Sequence, residues 1–165
     1  MEWFGRRKHQ VAAPDDSPSE ARAIGHVSAI LAHARADEAA ADTARELYRT
    51  RPMATLEPDE RIGALLCPHE QVVAVRRSAQ LHRLQPIPGW DVPPGLAGDL
   101  YLTSRRLVLV GRMTLDFDLE DIEETDLSGG RLLVALCDGR AVSLDVEQPR
   151  TLRVEIATAR ALARG

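Results

Sequence analysis

Short runs in which apolar and polar residues alternate fill the second half of the chain. The clearest run points Leu115, Phe117 and Leu119 to one face and Asp116 and Asp118 to the other. A period of two over a short run indicates a half-buried β-strand. Gly-rich turn signals separate the runs, which predicts a barrel or sandwich of antiparallel strands. The seven predicted strands are residues 71–76, 99–103, 106–110, 114–118, 122–127, 131–136 and 142–146, and residues 78–84 either extend the first strand or follow it.

Helical periodicity marks the two ends of the chain. The segment 17–20 (SPSE) has the residues of a helix start, because Ser caps, Pro suits the first helical position and Glu reaches back to the cap. Residues 18–49 are predicted to form one long helix, or two helices joined near Ala36. Its apolar stripe contains Ile24, Val27, Leu31 and Ala34. Pro149 opens a last helix, with an apolar face made by Leu152, Ile156, Ala159 and Leu162.

These patterns predict an α+β protein in three parts. Residues 1–16 form a flexible N-terminal segment, residues 17–66 a helical extension, and residues 67–165 a β-rich domain. A short helix is expected over residues 59–66, between two prolines. The apolar stripe of the extension is narrow, so it is predicted to pack on the β-rich domain or on a second copy of the chain.

The composition is that of an ordinary globular protein, with 44% apolar and 28% charged residues among 165. A formal net charge of −4 lacks the basic excess that nucleic-acid binding requires, so no nucleic acid is expected as a partner. Cys67 and Cys137 are too few for a disulfide framework, and nothing resembles a secretory signal or a membrane span. The expected location is therefore a reducing cytoplasm.

A family resemblance is carried by residues 98–108 (GDLYLTSRRLV), which look like the G-x-L-Y-L-T-x-x-R-L-V hairpin of bacterial PH-like and GRAM-like domains. Residues 70–73 (EQVV) are similar to the E-x-V lead-in strand of that group. Asp121-Ile122, the Asp138-Gly139 turn and the closing helix follow in the expected order. The resemblance covers about residues 65–164. It implies a PH-like seven-stranded β-barrel or sandwich with a C-terminal capping helix.

The resemblance also implies a binding module without catalytic activity. PH-like and GRAM-like domains generally bind phosphoinositides, other lipid headgroups or protein segments, and the lipid-binding members commonly use basic residues of the first two strands and their loop. The residues near that place here are Arg76, Arg77, His82 and Arg83. Asp91 in the loop and the absence of a dense basic cluster weaken the match to an inositol phosphate site. The alternative is that these side chains form a solvated strand face.

Two aromatic residues outside the strands are further candidates for binding. Trp90 lies in a loop dense in Pro and Gly, where it serves as a binding anchor or as a plug of the barrel mouth, and the plug is favoured. Trp3 and Phe4 stand beside three cations at residues 6–8, a combination that suits an anionic bilayer surface. The simpler interpretation of this segment is a frayed terminus.

Two clusters of polar residues invite a chemical interpretation. Seven acids between Asp116 and Asp126 suit a basic partner or a weak divalent-cation site, although outward strand positions and a turn explain most of them. Cys67, His69 and Glu70 are close enough in sequence to suggest a nucleophile or a metal site. No phosphate-binding loop, dinucleotide fingerprint, zinc-protease helix or nucleophile elbow occurs in the sequence. The sequence therefore predicts no cofactor, no metal and no catalytic residue.

The sequence favours a cytoplasmic, non-catalytic adapter that binds a protein, with a homodimer through the N-terminal helices as a further expectation. The alternative is a peripheral membrane adapter that binds anionic lipid headgroups, with Trp3 in contact with the bilayer. A small hydrolase or metal enzyme around Cys67 and His69 is the minority alternative.

Overall fold

The computed structural model describes residues 18–85, 90 and 92–164, with side chains from residue 26 onward. Within this part of the chain there are three helices and seven strands. The helices are α1 (Pro18–Thr50), α2 (Glu60–Gly63) and α3 (Pro149–Ala163). The strands are β1 (Val72–Arg83), β2 (Gly95–Thr103), β3 (Arg106–Gly111), β4 (Thr114–Asp118), β5 (Ile122–Ser128), β6 (Arg131–Leu136) and β7 (Ala141–Asp145). The segment predicted to be flexible, residues 1–16, lies outside the described residues.

All seven strands belong to one antiparallel sheet, in the order β4-β3-β2-β1-β7-β6-β5. β1 joins the two halves, because it pairs with β2 along most of its length and with β7 through residues 80–83. A bulge interrupts β1 between Arg76 and Ala79, where Ser78 has a positive φ of 54°. Seven antiparallel strands followed by a C-terminal helix are the elements that the PH-like resemblance implies. The predicted α+β class is confirmed.

The start of β2 differs from the prediction, which placed a loop over residues 85–98. β2 begins at Gly95, because β1 continues to Arg83 and its second half supplies partners for the early residues of β2. Gly and Ala are poor strand formers, so local propensity gave no sign of this pairing. The backbones also approach closely here: a Cβ on Gly111 would lie 2.1 Å from the carbonyl oxygen of Ala97. Glycine is therefore required at the β2–β3 contact.

The main hydrophobic core lies between the inward faces of the strands and α3. Phe117 and Leu119 are buried in it and Leu115 packs against it, while Asp116 and Asp118 are exposed. The predicted alternation of β4 is therefore confirmed. From α3 the core takes three of the four predicted residues, and the fourth, Leu162, is 62% exposed. The largest fully buried side chains of this core include Leu81, Leu100, Leu102, Leu107, Leu109, Ile122, Leu132, Leu136 and Leu144.

A second, smaller core covers the outer face of the sheet beneath α2. Ile62 of α2 is fully buried there, together with Val72, Tyr101, Val108 and Val110 of the first three strands. Asp59 is the N-cap of α2, and its carboxylate accepts hydrogen bonds from the backbone N–H groups of residues 61 and 62. The cap stabilises this short helix, which covers the second core through Ile62.

α1 is a single helix, and the boundary between two compact units of the chain falls within it, between His33 and Ala34. After that boundary, six positions of α1 are less exposed, and all but Ala40 follow a spacing of three and four residues: Ala34, Asp37, Ala40, Ala41, Ala44 and Tyr48. Ala41 and Ala44 pack against Val154 of α3. The same spacing continues backwards to Ile30 and Val27, which are exposed. The predicted domain division at residues 16 and 66 stays a prediction.

The side chain of Asp37 caps α3 from another helix. Gln148, at the N-cap position of α3, has a φ of 54° and makes no side-chain capping bond. The two carboxylate oxygens of Asp37 accept hydrogen bonds from the backbone N–H groups of Arg150 (2.9 Å) and Thr151 (3.1 Å) instead. The Thr151 hydroxyl donates to the same carboxylate at 3.0 Å. Helix N-termini expose unpaired N–H donors. This buried carboxylate therefore caps the start of α3 and holds α1 against it.

We expect Asp37→Ala to lower the free energy of unfolding by about 2 kcal/mol, because it leaves two N–H groups of α3 without acceptors. Urea unfolding followed by circular dichroism measures this loss. Asp42→Ala is the matched control, since Asp42 lies on the same helix with its side chain 68% exposed. The control should change stability by less than about 0.5 kcal/mol. Equal effects of the two substitutions would contradict the capping role.

Candidate functional site

Arg76, the first of the basic residues predicted to bind a ligand, is paired with groups of this chain. Its Nη2 lies 2.8 Å from a carboxylate oxygen of Glu155 on α3, and both side chains are only 11% exposed. Its Nε donates to the carbonyl oxygen of Glu147 at 3.0 Å. Burial raises the pKa of Glu155, and the nearby guanidinium opposes that rise. The pair fastens α3 to β1.

Arg77 contacts a different part of the molecule, beside α2. Its guanidinium donates to Asp99 at 2.8 Å, to Asp59 at 3.0 Å and to the Tyr101 hydroxyl at 3.2 Å. Arg61 of α2 donates to Asp99 as well, at 2.7 Å. The hydrogen bond from the Tyr101 hydroxyl is the main cause that lowers the pKa of Asp59 to about 2. This network of ionised side chains holds α2 on the sheet.

Arg83 and Trp90 are brought together, as neighbouring parts of one predicted site would be. An Nη of Arg83 donates to the backbone carbonyl of Trp90 at 3.1 Å. The Trp90 ring is half-buried and packs against the main core, and the guanidinium of Arg140 lies 5.3 Å from the ring centroid. Trp90 therefore packs inward and makes a cation–π contact with Arg140, while the choice between plug and binding anchor stays a prediction.

Of the remaining two predicted residues, the structure describes His82 but not Trp3. His82 on β1 lies opposite Ser143 on β7, and neither its Nε2 nor the Ser143 hydroxyl has a hydrogen-bond partner within the described part of the chain. Trp3 lies outside that part. The predicted ligand role of Trp3, Arg76, Arg77, His82, Arg83 and Trp90 stays a prediction.

The residues that carry the family resemblance form a buried ionic network. Glu70, with a fully buried side chain, accepts hydrogen bonds from Arg106 Nε (2.9 Å), the Thr103 hydroxyl (2.7 Å) and the Cys67 backbone N–H (2.8 Å). Arg106 also pairs with Asp116 at 2.7 Å. Burial alone would raise the pKa of Glu70, but the hydrogen bonds from Arg106, Cys67 and Thr103 outweigh it and hold the pKa at about 2. The motif therefore ties together the β2–β3 hairpin and the strand that precedes it.

A groove between α1 and α3 was not predicted from the sequence. It has a volume of about 640 Å³, within the range of ligand-binding clefts. Its floor is apolar and its walls carry three arginines; the lining residues are Arg45, Tyr48, Arg49, Arg153, Val154, Ala157, Thr158 and Ala161. Burial and the carboxylate of Glu155 raise the pKa of Tyr48. The only local sign in the sequence is the spacing of Arg45 and Arg49, one helical turn apart.

A smaller depression of about 210 Å³ lies on the outer face of the β5–β6–β7 half of the sheet. Glu124 and Asp126 stand over a floor that includes Leu133 and Ala135. All seven predicted acids of the 116–126 stretch are exposed. Within the described residues, no three His, Cys, Asp or Glu side chains are grouped closely enough to hold a metal ion. None of the described helices combines the length and apolar character needed to cross a membrane.

Comparison with known proteins gives structural similarities alone. No protein-family model matches the chain, and no curated protein matches it. Among solved structures, it is similar to the Vps36 N-terminal PH domain, with 21% identity, 60% of this chain and 83% of that chain covered, and a TM-score of 0.44. It is also similar to the C-terminal domain of an unknown protein from Leishmania infantum, with 12% identity, 62% and 93% covered, and a TM-score of 0.46.

At 21% and 12% identity, the two similarities concern the fold alone. Neither similarity assigns a ligand or an activity to the chain. The GRAM-like subgroup and a bacterial source stay predictions.

We expect the free energy of unfolding to fall as the pH decreases from about 4.5 to about 2, in part through Glu70. Its pKa is about 2 in the folded protein against a usual value of 4.5, so the unfolded chain binds the proton first. That difference corresponds to about 3 kcal/mol of stability present above pH 4.5 and lost through this window. Glu70→Gln should remove most of this contribution and flatten the pH dependence.

Urea titrations at several pH values between about 2 and 7 measure the slope for each variant. The control is Glu57→Gln, because Glu57 is exposed and makes no hydrogen bond among the described residues. The control should keep the slope of the unchanged protein. If Glu70→Gln keeps that slope too, the low pKa of Glu70 is refuted.

Proposed function

We propose that this chain is a non-catalytic, PH-like module that binds another protein. The observation that carries the proposal is an uncovered apolar ridge on α1, where Val27, Ile30 and Leu31 are 55%, 54% and 52% exposed. Three large aliphatic side chains at positions i, i+3 and i+4 of one helix make a face suited to another helix. Isolated apolar residues on a surface are common, but a contiguous ridge favours a protein contact.

The state of the predicted lipid-binding residues supports a protein partner over a lipid headgroup. Arg76 is buried against Glu155, and Arg77 is shared between Asp59 and Asp99. A phosphate would have to displace Glu155 before it could bind Arg76. Arg77 is 59% exposed, and a phosphate there would compete with two carboxylates. For Arg76 that exchange would leave a buried carboxylate unpaired, which is strongly unfavourable.

The hydrogen bonds of the Glu70 carboxylate support a role without catalysis. Glu70 is the carboxylate nearest to Cys67 and His69 in sequence, and its oxygens are occupied by Arg106, Thr103 and a backbone N–H. A hydrolase or metal enzyme around Cys67 and His69 is kept as the lesser alternative, and a bound metal or a fast-reacting Cys67 thiol would favour it. Cys67 and Cys137 are exposed free thiols, in keeping with the proposed cytoplasmic location.

The partner we propose for the α1 ridge is the same helix of a second copy. Val27 and Ile30 continue the three–four spacing with which the later half of α1 packs on α3. Such spacing is the seam of paired helices, and an identical helix supplies the matching seam. The uncovered stretch is short, so the dimer is expected to be weak and to depend on protein concentration.

We expect light scattering on the full chain to give a mass that rises with concentration towards twice the 18.1 kDa of one chain. Val27→Glu with Leu31→Glu should hold the mass at one chain, because charges on the ridge would have to be buried in the pair. The control pair is Leu84→Glu with Met113→Glu, at apolar residues that are 51% and 39% exposed. A full chain that stays monomeric and captures no protein from its native lysate would contradict the proposed function.

The alternative function is a peripheral membrane adapter, favoured by the N-terminal sequence with Trp3, Phe4 and the cations at residues 6–8. These residues lie outside the described part of the chain. This alternative requires binding to anionic lipid that weakens with salt, since each cation near the bilayer surface contributes about 1 kcal/mol.

We expect the full chain not to float with neutral or anionic liposomes, at low or at high salt, because its arginines on β1 are already paired. A truncated chain that starts at Val11 is the control for the N-terminal segment. Salt-sensitive flotation of the full chain that is lost on truncation would replace the protein-binding proposal with the membrane adapter.

A further inference from the structure

The groove between α1 and α3 is formed by two helices that run in the same direction. Asp37 meets the first residues of α3, and Tyr48, three turns later on α1, lines the groove with residues 154–161 of α3. Val154, Ala157 and Ala161 make one apolar row on α3. Leu162, beside that row, is 62% exposed. Two neighbouring helices with a small-residue row between them leave the space that a third helix fills.

The walls of the groove carry positive charge. Arg45 and Arg49 stand on α1 and Arg153 on α3, and no carboxylate occurs among the lining residues described for the groove. Each arginine has at least one acidic neighbour on this chain: Asp42 and Glu38 for Arg45, Glu46 for Arg49 and Asp126 for Arg153. All of these pairs are exposed to solvent. Exposed pairs of this kind contribute little, so the guanidinium groups can exchange these partners for others.

Resting on the proposed function, we propose that this groove binds an acidic amphipathic helix of a partner protein. The apolar ridge of that helix lies on Ala157 and Ala161, the exposed members of the row, because Val154 is buried against α1. Its carboxylates meet arginines on both sides of the groove, so the charge of the partner complements the charge of the walls.

The spacing of the arginines sets the pattern of the partner. Arg45 and Arg49 are four residues apart on α1, which places them about 6 Å apart along the helix axis. A partner helix that lies along α1 meets them with two carboxylates that are also four residues apart. Arg153 on the opposite wall takes a third acid from the other flank of the ridge. The partner therefore carries acids on both sides of an apolar stripe of small and medium-sized side chains.

The test uses the full chain and two labelled helical peptides of about 18 residues, or five turns. One peptide has a Leu and Ala ridge flanked by Glu residues four apart, and the other has Lys in place of every Glu. Fluorescence polarisation measures binding. We expect the Glu peptide to bind and the Lys peptide not to bind. Arg45→Glu with Arg49→Glu should weaken the Glu peptide by about tenfold or more and should create binding of the Lys peptide.

Two further variants keep the result interpretable. Arg105→Glu with Arg112→Glu makes the same charge change at exposed residues away from the groove, and it should leave the affinity for the Glu peptide unchanged. Arg45→Gln with Arg49→Gln removes the charges without introducing new repulsion on α1, and it should weaken the Glu peptide by a smaller factor than the reversal does. Thermal unfolding checks that every variant is folded.

The groove proposal is overturned if neither peptide binds, if both bind equally, or if charge reversal at Arg45 and Arg49 leaves both affinities unchanged. Binding of the full chain to anionic vesicles that is lost in the Arg45→Glu and Arg49→Glu variant, without binding of the Glu peptide, would overturn it in favour of a lipid surface. If the peptides fail but the Val27→Glu and Leu31→Glu variant still loses self-association, the groove proposal falls and the proposed protein-binding function stands.

Discussion

The pairing of β1 on both of its sides is the constraint on which the rest of the structure depends. Among the described strands, β1 joins the two halves of the sheet: residues 80–82 pair with β2 and β7 at once, while residues 72–76 pair with β2. The bulge at Arg77 and Ser78 lets the strand bend, and it leaves these two residues without partners in the β1–β2 ladder. Arg76 stands before the bulge and Arg77 within it, and their side chains contact α3 and the N-cap of α2 respectively. The two arginines therefore serve the assembly of the domain.

Those parts of the fold that depend on local pattern could be predicted from the sequence. Alternation identified β4, Gly-rich turns separated β5 from β6, and Pro149 marked the start of α3. The start of β2 could not be predicted, because Gly95 enters the sheet only through the length of β1. Asp37 gave no signal either, since its bonds join residues more than a hundred positions apart. The α1–α3 groove depends on that contact and was missed for the same reason.

The predicted site shows how far residue type alone can lead. Four basic residues near one strand suggested an anion site, but sequence could not show which carboxylates lie beside them. Arg76 and Arg77 have acidic partners from Glu155, Asp59 and Asp99. Arg45 and Arg49 were not predicted to bind a ligand, yet they line the α1–α3 groove. Their ion pairs with Asp42 and Glu46 are exposed to solvent. Accessibility sets Arg76 apart, because its side chain is only 11% exposed. Arg77 is 59% exposed against 47% for Arg45, and it differs in contacting two carboxylates and the Tyr101 hydroxyl at once.

Within the described residues, the sheet ends in two edge strands, β4 and β5, which follow each other along the chain. An exposed strand edge offers unpaired backbone groups to any other chain, and it is a common starting point for aggregation. Here both edges carry exposed carboxylates, Asp116 and Asp118 on β4 and Glu123, Glu124 and Asp126 on β5. Two such edges from different molecules repel each other before their backbones can pair. The acidic stretch therefore disfavours edge-to-edge pairing between two copies of this sheet.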